Sequence, residues 1–330
     1  MGLNWLITGG CGFIGTNLIR HLVTQGNHSI RILDNLSVGT KEVLGSIGSY
    51  QLREAADLDT KKLKWQPSLM ELVVGDVQDS QLAVSVCEGA DIIVHLAANT
   101  GVGPSVEDPR FDCLTNVIGT FNYLEAARKV NGSRFVFASS GAPAGEITPP
   151  IHEEIPPHPV SPYGASKLAG EGYCSAYKRS FGVETVVLRF GNVYGPGSFH
   201  KSSLVAKFIN TVVNGDEFEI FGDGQQTRDF IFIDDLVEAV ILSARVSNIG
   251  GEIFQIATNR ETTVTEIIKQ LERQLLDRGI ENIKIKYGDP RLGDVMRNYS
   301  DTSKAKRMLG WTAQTSLKTG LDETINWFLR

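Results

Sequence analysis

A glycine-rich segment near the amino terminus constrains the fold of this 330-residue chain more than any other feature. It reads TGGCGFIG at residues 8–15, follows a short apolar run and opens an amphipathic stretch. Small residues here allow a sharp turn, and they let a pyrophosphate approach the N-terminus of the next helix, where the helix dipole favours negative charge. Glycines also serve ordinary turns, but a position between strand and helix favours a dinucleotide site. The residues predicted to contact the dinucleotide are Gly9, Gly12, Phe13, Ile14 and Gly15.

Short apolar runs alternate with longer amphipathic stretches through the first 190 residues. The runs occupy residues 3–7, 29–33, 71–74, 91–96, 134–138 and 185–189. Most of them are rich in β-branched residues, and continuous apolar runs of this kind suit strands buried on both faces of a parallel sheet. We therefore predict an α/β fold of Rossmann type, with a doubly wound parallel sheet.

The pattern becomes irregular after Arg189, where a Gly/Pro cluster precedes shorter helical and strand-like segments. This change predicts two lobes. The larger, dinucleotide-binding domain comprises residues 1–190 and roughly 225–250, and the smaller α/β substrate lobe comprises residues 191–224 and 251–330. An insert at residues 41–70 has some helical character and no assigned role.

Composition excludes several classes of protein. The net charge of −6 argues against nucleic acid as the main partner, because there is no basic excess to neutralise phosphates. The four cysteines are scattered, without metal-site spacing, which predicts reduced thiols and no bound metal. No apolar stretch approaches the ~20 residues of a membrane span, and the apolar run before the glycine loop is too short to predict a signal peptide. We expect a soluble cytoplasmic protein without a membrane partner.

An acidic residue ends the second apolar run. Asp34 lies 19 residues after Gly15, where a carboxylate would accept hydrogen bonds from the ribose hydroxyls of the adenosine half. A carboxylate there would also repel a 2′-phosphate, so the sequence favours NAD over NADP. Aspartates at strand ends also cap loops, and that alternative stays open. Asp76 ends the next run and is a candidate for contact with the adenine or a plain turn residue.

A tyrosine and a lysine four residues apart, Tyr163 and Lys167, open a later amphipathic stretch. On a helix they would share one face, where the ammonium would lower the pKa of the phenol and prepare it as a general base. The same spacing is common on solvated helix faces. Ser140 strengthens the catalytic interpretation, since it ends a predicted strand whose carboxyl end would face the ligand crevice. Its alternative role is a turn cap.

A series of motifs in fixed order resembles the extended short-chain dehydrogenases, and within them the NAD-dependent nucleotide-sugar epimerases similar to UDP-glucose 4-epimerase. The motifs are TGGxGxxG, Asp34, HLAA at 95–98, Ser139-Ser140, SPYGxSK at 161–167, LRFGNVYGPG at 188–197, TRDFI at 227–231 and RLGDV at 291–295. The resemblance covers nearly the whole chain. It adds further expected cofactor contacts at Asn35, Val77, Leu96, Ala97 and Ala98, besides Tyr163 and Lys167.

The resemblance implies a reaction. Tyr163, assisted by Lys167 and Ser140, would take the proton of the sugar 4-hydroxyl while the C4 hydride passes to NAD and returns to the other face of a 4-keto intermediate. It also implies a homodimer, in which helical stretches at residues 110–129 and 162–179 pair across the axis. The apolar positions of the first stretch could equally be core.

The same resemblance implies a set of substrate contacts in the smaller lobe. Arg228 and Arg291 match positions that clamp the nucleotide diphosphate, which suits the planar guanidinium. The remaining expected contacts are Asn192, Lys201, Leu204, Phe221 and Asn298, besides Ser140 and Tyr163. Asn298 stands where a smaller residue leaves room for an N-acetyl group. Lys201 would pair a uronic carboxylate or a phosphate, or would be a solvated loop lysine, so UDP-glucose or galactose, UDP-N-acetylglucosamine and UDP-glucuronate all remain candidate substrates.

Other functions remain as alternatives. A nucleotide-sugar oxidoreductase or reductase would share Tyr163 and Lys167, and a non-catalytic dinucleotide sensor would need only the glycine loop. The related dehydratases carry Asp-Glu, and the decarboxylases Glu, directly after the serine, where this chain has Gly141 and Ala142. The chain departs from the family at residues 143–145, which read Pro-Ala-Gly in place of Val-Tyr-Gly.

Overall fold

The computed structural model describes residues 2–55, 63–130, 132–199, 203–290 and 295–330. The chain divides into two compact units. The first unit consists of Met1–Gly145, Pro156–Arg189 and Val240–Phe254, and the second of Glu146–Ile155, Phe190–Ala239 and Gln255–Arg330.

These bounds differ in four places from the division expected from the sequence, the smallest of which is Phe190, now in the second unit. Residues 225–239 belong to the second unit, because the strand Phe230–Phe232 pairs there with Asn192–Tyr194. Residues 146–155 also join it, since Ile151 forms a bridge with Ser300. Residues 251–254 belong to the first unit instead.

The first unit alternates strands and helices along the chain. Its strands are β1 (Asn4–Thr8), β2 (Ser29–Asp34), β3 (Gln51–Glu54), β4 (Met70–Val74), β5 (Ile92–His95), β6 (Arg134–Ser140), β7 (Glu184–Phe190) and β12 (Glu252–Ile256). Its helices are α1 (Phe13–Gln25), α2 (Lys41–Ile47), α3 (Ser80–Cys87), α4 (Val102–Glu107), α5 (Pro109–Cys113), α6 (Gly119–Val130) and α7 (Pro162–Phe181). The six apolar runs of the sequence correspond to β1, β2, β4, β5, β6 and β7.

These strands form one eight-stranded sheet in the order β12-β7-β6-β5-β1-β2-β4-β3. The chain leaves β1 towards β2 and β4, then returns to β5 on the other side of β1, so the order reverses between β1 and β5. All register pairs from β3 to β6 are parallel. The predicted doubly wound sheet is confirmed, and ligands of such sheets bind outside the carboxyl ends of the strands at the reversal.

The insert at residues 41–70 forms the edge of this sheet. Its first part is helix α2, and β3 then pairs in parallel with β4 as the outermost strand. Three of the four β3 residues are exposed, so its sequence lacks the apolar run that marks the inner strands.

Helix α7 begins and ends with strong local signals. The Ser161 hydroxyl accepts the N–H of Gly164, and Pro162 occupies the first turn, where its missing N–H costs nothing. Gly182 ends the helix in the left-handed conformation, with φ of 73°. The preceding stretch is less regular, since a π-helical turn at Leu114–Ile118 separates α5 from α6.

The second unit contains small sheets and four complete helices among its described residues. Its strands are β8 (Asn192–Tyr194), β9 (Glu217–Phe221), β10 (Thr227–Arg228), β11 (Phe230–Phe232), β13 (Thr262–Thr263) and β14 (Lys284–Gly288). Its helices are α8 (Leu204–Val213), α10 (Val264–Leu276), α11 (Ser303–Leu309) and α12 (Leu317–Phe328), and α9 (Ile233–Arg245) starts in it. Across the described parts of both units, no helix is long and apolar enough to cross a membrane.

Candidate active site

The glycine loop between β1 and α1 is packed too closely for a side chain at two of its glycines. Gly9 has φ of +68°, and a Cβ there would lie 2.7 Å from the backbone nitrogen of Ala97. A Cβ at Gly15 would lie 2.5 Å from Gly10 Cα. Helix α1 begins at Phe13 after the N-cap Gly12, which provides no side-chain cap, and its first turn carries no acidic residue. This helix terminus therefore fits a pyrophosphate, as the sequence indicated.

Asp34, at the end of β2, holds the glycine loop in place. One carboxylate oxygen accepts the backbone N–H of Cys11 and the other that of Leu36, both at 2.9 Å. Burial raises the pKa of Asp34, while these two hydrogen bonds lower it. The sequence placed Asp34 at the ribose; its contact with the glycine loop, 23 residues away, was not predicted.

Asn35 and Asp76 join the loops after β2 and β4. The Asn35 amide donates to one Asp76 oxygen at 2.9 Å, and the other oxygen accepts the N–H of Gln78 at 2.9 Å. Val77 is buried beside them and lies against Gly119. The structure thus brings these predicted cofactor contacts together at the carboxyl ends of the neighbouring strands β2 and β4.

The loop after β5 lies directly beside the glycine loop. Leu96 and Ala97 donate their N–H groups to the carbonyl and hydroxyl of Thr8, at 3.1 and 3.3 Å. Ala98 continues this loop. These residues border the reversal point between β1 and β5, the position predicted for a dinucleotide.

The Ser140 side chain lies beside the Tyr163 phenol and lowers its pKa by hydrogen bonding. The Ser140 oxygen also accepts the N–H of Ala142 at 3.2 Å, so the predicted catalytic contact and the alternative turn cap occur together. One helical turn later, the Lys167 ammonium donates to the Ala138 carbonyl at 2.9 Å and lies 6.0 Å from the centre of the Tyr163 ring. The three predicted catalytic side chains therefore lie together at the carboxyl end of β6.

The acid–base properties of this pair differ from the sequence expectation. Burial raises the pKa of Tyr163 to about 12, although the Ser140 hydrogen bond acts in the opposite direction. Burial also lowers the pKa of Lys167 to about 8, although the carboxylates of Asp112 and Glu171 raise it. Desolvation therefore dominates the pKa of Tyr163, and the expected lowering of that pKa by Lys167 is not found.

A buried polar cluster beside Lys167 was missed by sequence reasoning. The Asn116 side chain exchanges two hydrogen bonds with the backbone of Asn99, at 2.8 and 3.0 Å. Its amide also donates to Asp112 at 2.9 Å and to Ser166 at 3.1 Å. Asn116 lies in the π-helical turn, a feature common at functional sites. The cluster fixes the loop after β5 against α7. In the sequence, the four-residue spacing between Asp112 and Asn116 was the signal that could have indicated it.

Apart from Ser140 and Tyr163, the predicted substrate contacts that the structure describes lie in the second unit. Arg228 Nη1 donates to the carbonyls of Thr227 and Val295, both at 2.7 Å. The N–H of Asn298 donates to the Thr227 hydroxyl at 3.3 Å, which joins the segments carrying Arg228 and Asn298. Asn192 is exposed at the start of β8.

Two further predicted substrate contacts lie at the start of helix α8 and at the end of strand β9. Leu204 is the first residue of α8, and Phe221 ends β9. The Lys207 ammonium lies 5.7 Å above the centre of the Phe221 ring, a cation–π contact. Lys201 and Arg291 lie outside the described residues. Within the described ranges no group of three His, Cys, Asp or Glu side chains could hold a metal ion.

The model of the NAD dependent epimerase/dehydratase family matches residues 5–257. The chain belongs to this family. A putative UDP-glucose 4-epimerase of Methanocaldococcus jannaschii is 36% identical over 327 residues, which cover 98% of this chain and 97% of the relative. The UDP-glucose 4-epimerase of Mycolicibacterium smegmatis is 34% identical over 328 residues, with 98% and 97% covered.

A solved structure shows the same similarity in three dimensions. The UDP-glucose 4-epimerase of Thermotoga maritima with UDP-glucose matches with a TM-score of 0.86 at 33% identity, and the match covers 99% of each chain. Membership of the NAD dependent epimerase/dehydratase family confirms the predicted enzyme class and the predicted cofactor. The glycine loop fits that cofactor, since the Gly9 and Gly15 positions exclude any side chain.

Proposed function

We propose that the chain is an NAD-dependent 4-epimerase of UDP-sugars. The observation that carries the proposal is the arrangement of Ser140, Tyr163 and Lys167 at the carboxyl end of β6, in the same sheet whose β1 leads into the glycine loop. The relatives named above, which are 33–36% identical over nearly full length, support the same activity.

The proposed reaction begins with the sugar 4-hydroxyl. Ser140 hydrogen-bonds this hydroxyl and the Tyr163 phenolate accepts its proton, which is general-base catalysis. NAD, which the glycine loop would hold, would supply the acceptor and then the donor of the C4 hydride, so that the hydride could return to the opposite face of the ketone. Tyr163 then gives the proton back to the new 4-hydroxyl, so neither a proton nor an electron pair is gained or lost over the cycle.

Positive charge is needed to form the phenolate, because burial raises the pKa of Tyr163 to about 12 in spite of the Ser140 hydrogen bond. The Lys167 ammonium supplies one such charge 6.0 Å from the ring centre. The carboxylates of Asp112 and Glu171 help to keep that ammonium protonated, since both raise the pKa of Lys167.

Dehydration receives no support from the residues after Ser140. Gly141 is followed by a 3₁₀ turn at Ala142–Ala144, which contains alanine and proline only. Elimination of water across C5 and C6 of the sugar needs an additional acid and base there, and this segment offers no titratable group. Epimerisation needs no second pair because nothing is eliminated.

The proposed UDP-sugar contacts are Asn192, Lys201, Leu204, Phe221, Arg228, Arg291 and Asn298. Arginine is suited to the diphosphate because its planar fork pairs with two phosphate oxygens. Asn298, smaller than tyrosine, would leave room for a C2 N-acetyl group, which makes UDP-N-acetylglucosamine a candidate beside UDP-glucose and UDP-glucuronate.

We also propose a cytoplasmic homodimer. Four exposed apolar side chains on the helices of the first unit support the assembly: Phe111, Ile118, Tyr173 and Phe181. Ile118→Arg should therefore convert a dimer into a monomer in light scattering, while NAD content stays at the wild-type level. A wild-type protein that is monomeric at all concentrations would contradict the proposal.

The activity is tested by incubating the purified protein, without added NAD, with each of three substrates: UDP-glucose, UDP-N-acetylglucosamine and UDP-glucuronate. Proton NMR of the sugar C4 configuration should show conversion of at least one substrate to its 4-epimer. Conversion without added cofactor would also demonstrate retained NAD. If none is converted while NAD is present in the protein, UDP-sugar 4-epimerisation is wrong for these substrates. Accumulation of NADH with each turnover would indicate a net oxidoreductase instead.

A further inference from the structure

We infer that the carboxylate of Asp229 is the positioning residue for the diphosphate-sugar contacts of the second unit, an inference that rests on the proposed function. Asp229 follows Arg228 directly and is 1% exposed. Its carboxylate accepts hydrogen bonds from two separate segments of the chain, and its backbone carbonyl accepts one from a third.

The first segment is the loop after β12. One Asp229 oxygen accepts the N–H of Thr258 at 2.7 Å and the Thr258 hydroxyl at 2.5 Å. The other oxygen accepts the N–H of Asn259 at 3.0 Å. This loop leads into β13, which pairs with the strand Thr227–Arg228. The carboxylate therefore holds the loop that positions β13 against the strand carrying Arg228.

The second segment carries Asn298. The N–H of Ser300 donates to Asp229 at 3.2 Å, two residues after Asn298. The N–H of Asn298 donates to the Thr227 hydroxyl, two residues before Asp229. The Thr227 N–H in turn donates to the Met296 carbonyl at 2.8 Å. Asn298 is therefore attached to the Thr227–Asp229 segment on both sides.

The third segment carries Asn192. Its N–H donates to the Asp229 carbonyl at 2.7 Å. Gly191 permits this approach, since a Cβ there would lie 2.9 Å from the same carbonyl oxygen. Each of these three substrate contacts is thus linked to Asp229. Arg228 directly precedes it, and the Asn192 N–H donates to its carbonyl. Asn298 lies two residues before Ser300, whose N–H donates to its carboxylate.

Only an ionised carboxylate can accept all the hydrogen bonds that reach the Asp229 side chain. Its two oxygens accept four, three from backbone N–H groups and one from the Thr258 hydroxyl. An asparagine would direct an NH₂ group at donors on one side, and buried donors left without an acceptor are costly. No substrate atom needs to contact Asp229 for its loss to disturb the substrate site.

The experiment compares Asp229→Asn with the wild-type protein and with Asp216→Asn, an exposed aspartate before β9. UDP binding is measured by titration calorimetry, NAD content after denaturation, and KM and kcat by the NMR assay. For Asp229→Asn we expect UDP affinity to fall and KM to rise by about ten- to a hundredfold. NAD content should be unchanged and kcat should change far less, and the control should match the wild type. A merely structural role would lower kcat, UDP affinity and NAD content together.

Thr258→Val removes a single donor to Asp229 and decides the matter if Asp229→Asn does not fold. It should weaken UDP binding by about threefold to tenfold with NAD content unchanged. Wild-type UDP affinity in Thr258→Val or in folded Asp229→Asn would overturn the inference and leave the proposed function standing. A wild-type protein that binds no UDP would overturn both, so the two failures are distinguishable.

Discussion

Arg189 and Glu171 form a bidentate ion pair that is buried next to the candidate active site. Nε and Nη2 of Arg189, on β7, donate to the two Glu171 oxygens at 2.8 and 2.6 Å. Their side chains are 3% and 2% exposed. The Ser139 hydroxyl donates to the same carboxylate at 2.6 Å, so the pair also holds the end of β6, directly before Ser140.

Replacing Arg189 by methionine should therefore be costly. The variant leaves the Glu171 charge buried without its cation, and breaking such a pair costs about 3–5 kcal/mol. Urea denaturation should show this loss in the free energy of unfolding. Lys286→Met is the matched control, because Lys286 pairs with Glu217 at 3.5 Å with both side chains about half exposed. That control should lose no more than about 1 kcal/mol. Equal losses in the two variants would refute the role given to the buried pair.

Tyr163→Phe tests the proposed base without disturbing the fold. The phenylalanine keeps the ring but removes the hydroxyl that bonds to Ser140 and would accept the substrate proton. We expect the epimerisation rate to fall by about 10²- to 10⁴-fold, with NAD content and melting temperature unchanged. Tyr173→Phe, on the same helix but partly exposed, should keep wild-type activity. Retained activity in Tyr163→Phe would show that another group takes the proton.

The sequence predicted the parts of the molecule that depend on local patterns. The apolar runs identified β1 and β2 because inner parallel strands are buried on both faces, and the capping residues of α7 agree with its observed start. Strand β3 was not predicted, because an exposed edge strand has no apolar run.

Long-range polar contacts could not be predicted in the same way. The Asp34 carboxylate meets the N–H of Cys11 only because β1 and β2 are neighbours, and no periodicity signals such a pairing. Asp229 likewise meets Thr258 and Ser300 across 29 and 71 residues. The motifs singled out the segments that carry these two residues, whereas their hydrogen-bond partners required the fold.

Asp34→Asn distinguishes the role of this carboxylate in holding the glycine loop from its predicted role at the ribose, where it would repel a 2′-phosphate. Each of its oxygens serves a different backbone N–H, so an amide can satisfy only one of them. The glycine loop should loosen, and NAD affinity should fall by at least about tenfold without a matching gain for NADP. Asp79→Asn is the control, because both of its backbone bonds go to one oxygen that the amide retains. Cofactor bound per protein chain measures the result, and wild-type NAD content in Asp34→Asn would contradict it.

His95 should make the protein sensitive to acid. Its two ring nitrogens hydrogen-bond with the hydroxyls of Thr8 and Thr120, at 2.9 and 3.2 Å. Burial, with a smaller contribution from the charge of Lys167, lowers the pKa of His95 to about 3. The unfolded chain, in which histidine has a pKa of about 6.5, therefore takes up the proton first as the pH falls. The stabilisation by neutral His95 is complete above pH ~6.5 and is lost progressively between pH ~6.5 and ~3.

The measurement is the slope of unfolding free energy against pH, taken by urea denaturation between pH 4 and 6. His95 should contribute up to about 1.4 kcal/mol per pH unit to this slope, with stability increasing as pH rises. His95→Gln keeps a hydrogen-bonding side chain but has no proton to take up, so its slope should be shallower by that amount. Its absolute stability does not enter the comparison, because other groups titrate equally in both proteins. These include Asp34 and Asp229, whose raised pKa values act with the opposite sign. Identical slopes would mean that His95 is already charged in the folded protein or stays neutral in the unfolded chain, and the neutral buried imidazole would not be the origin of acid sensitivity.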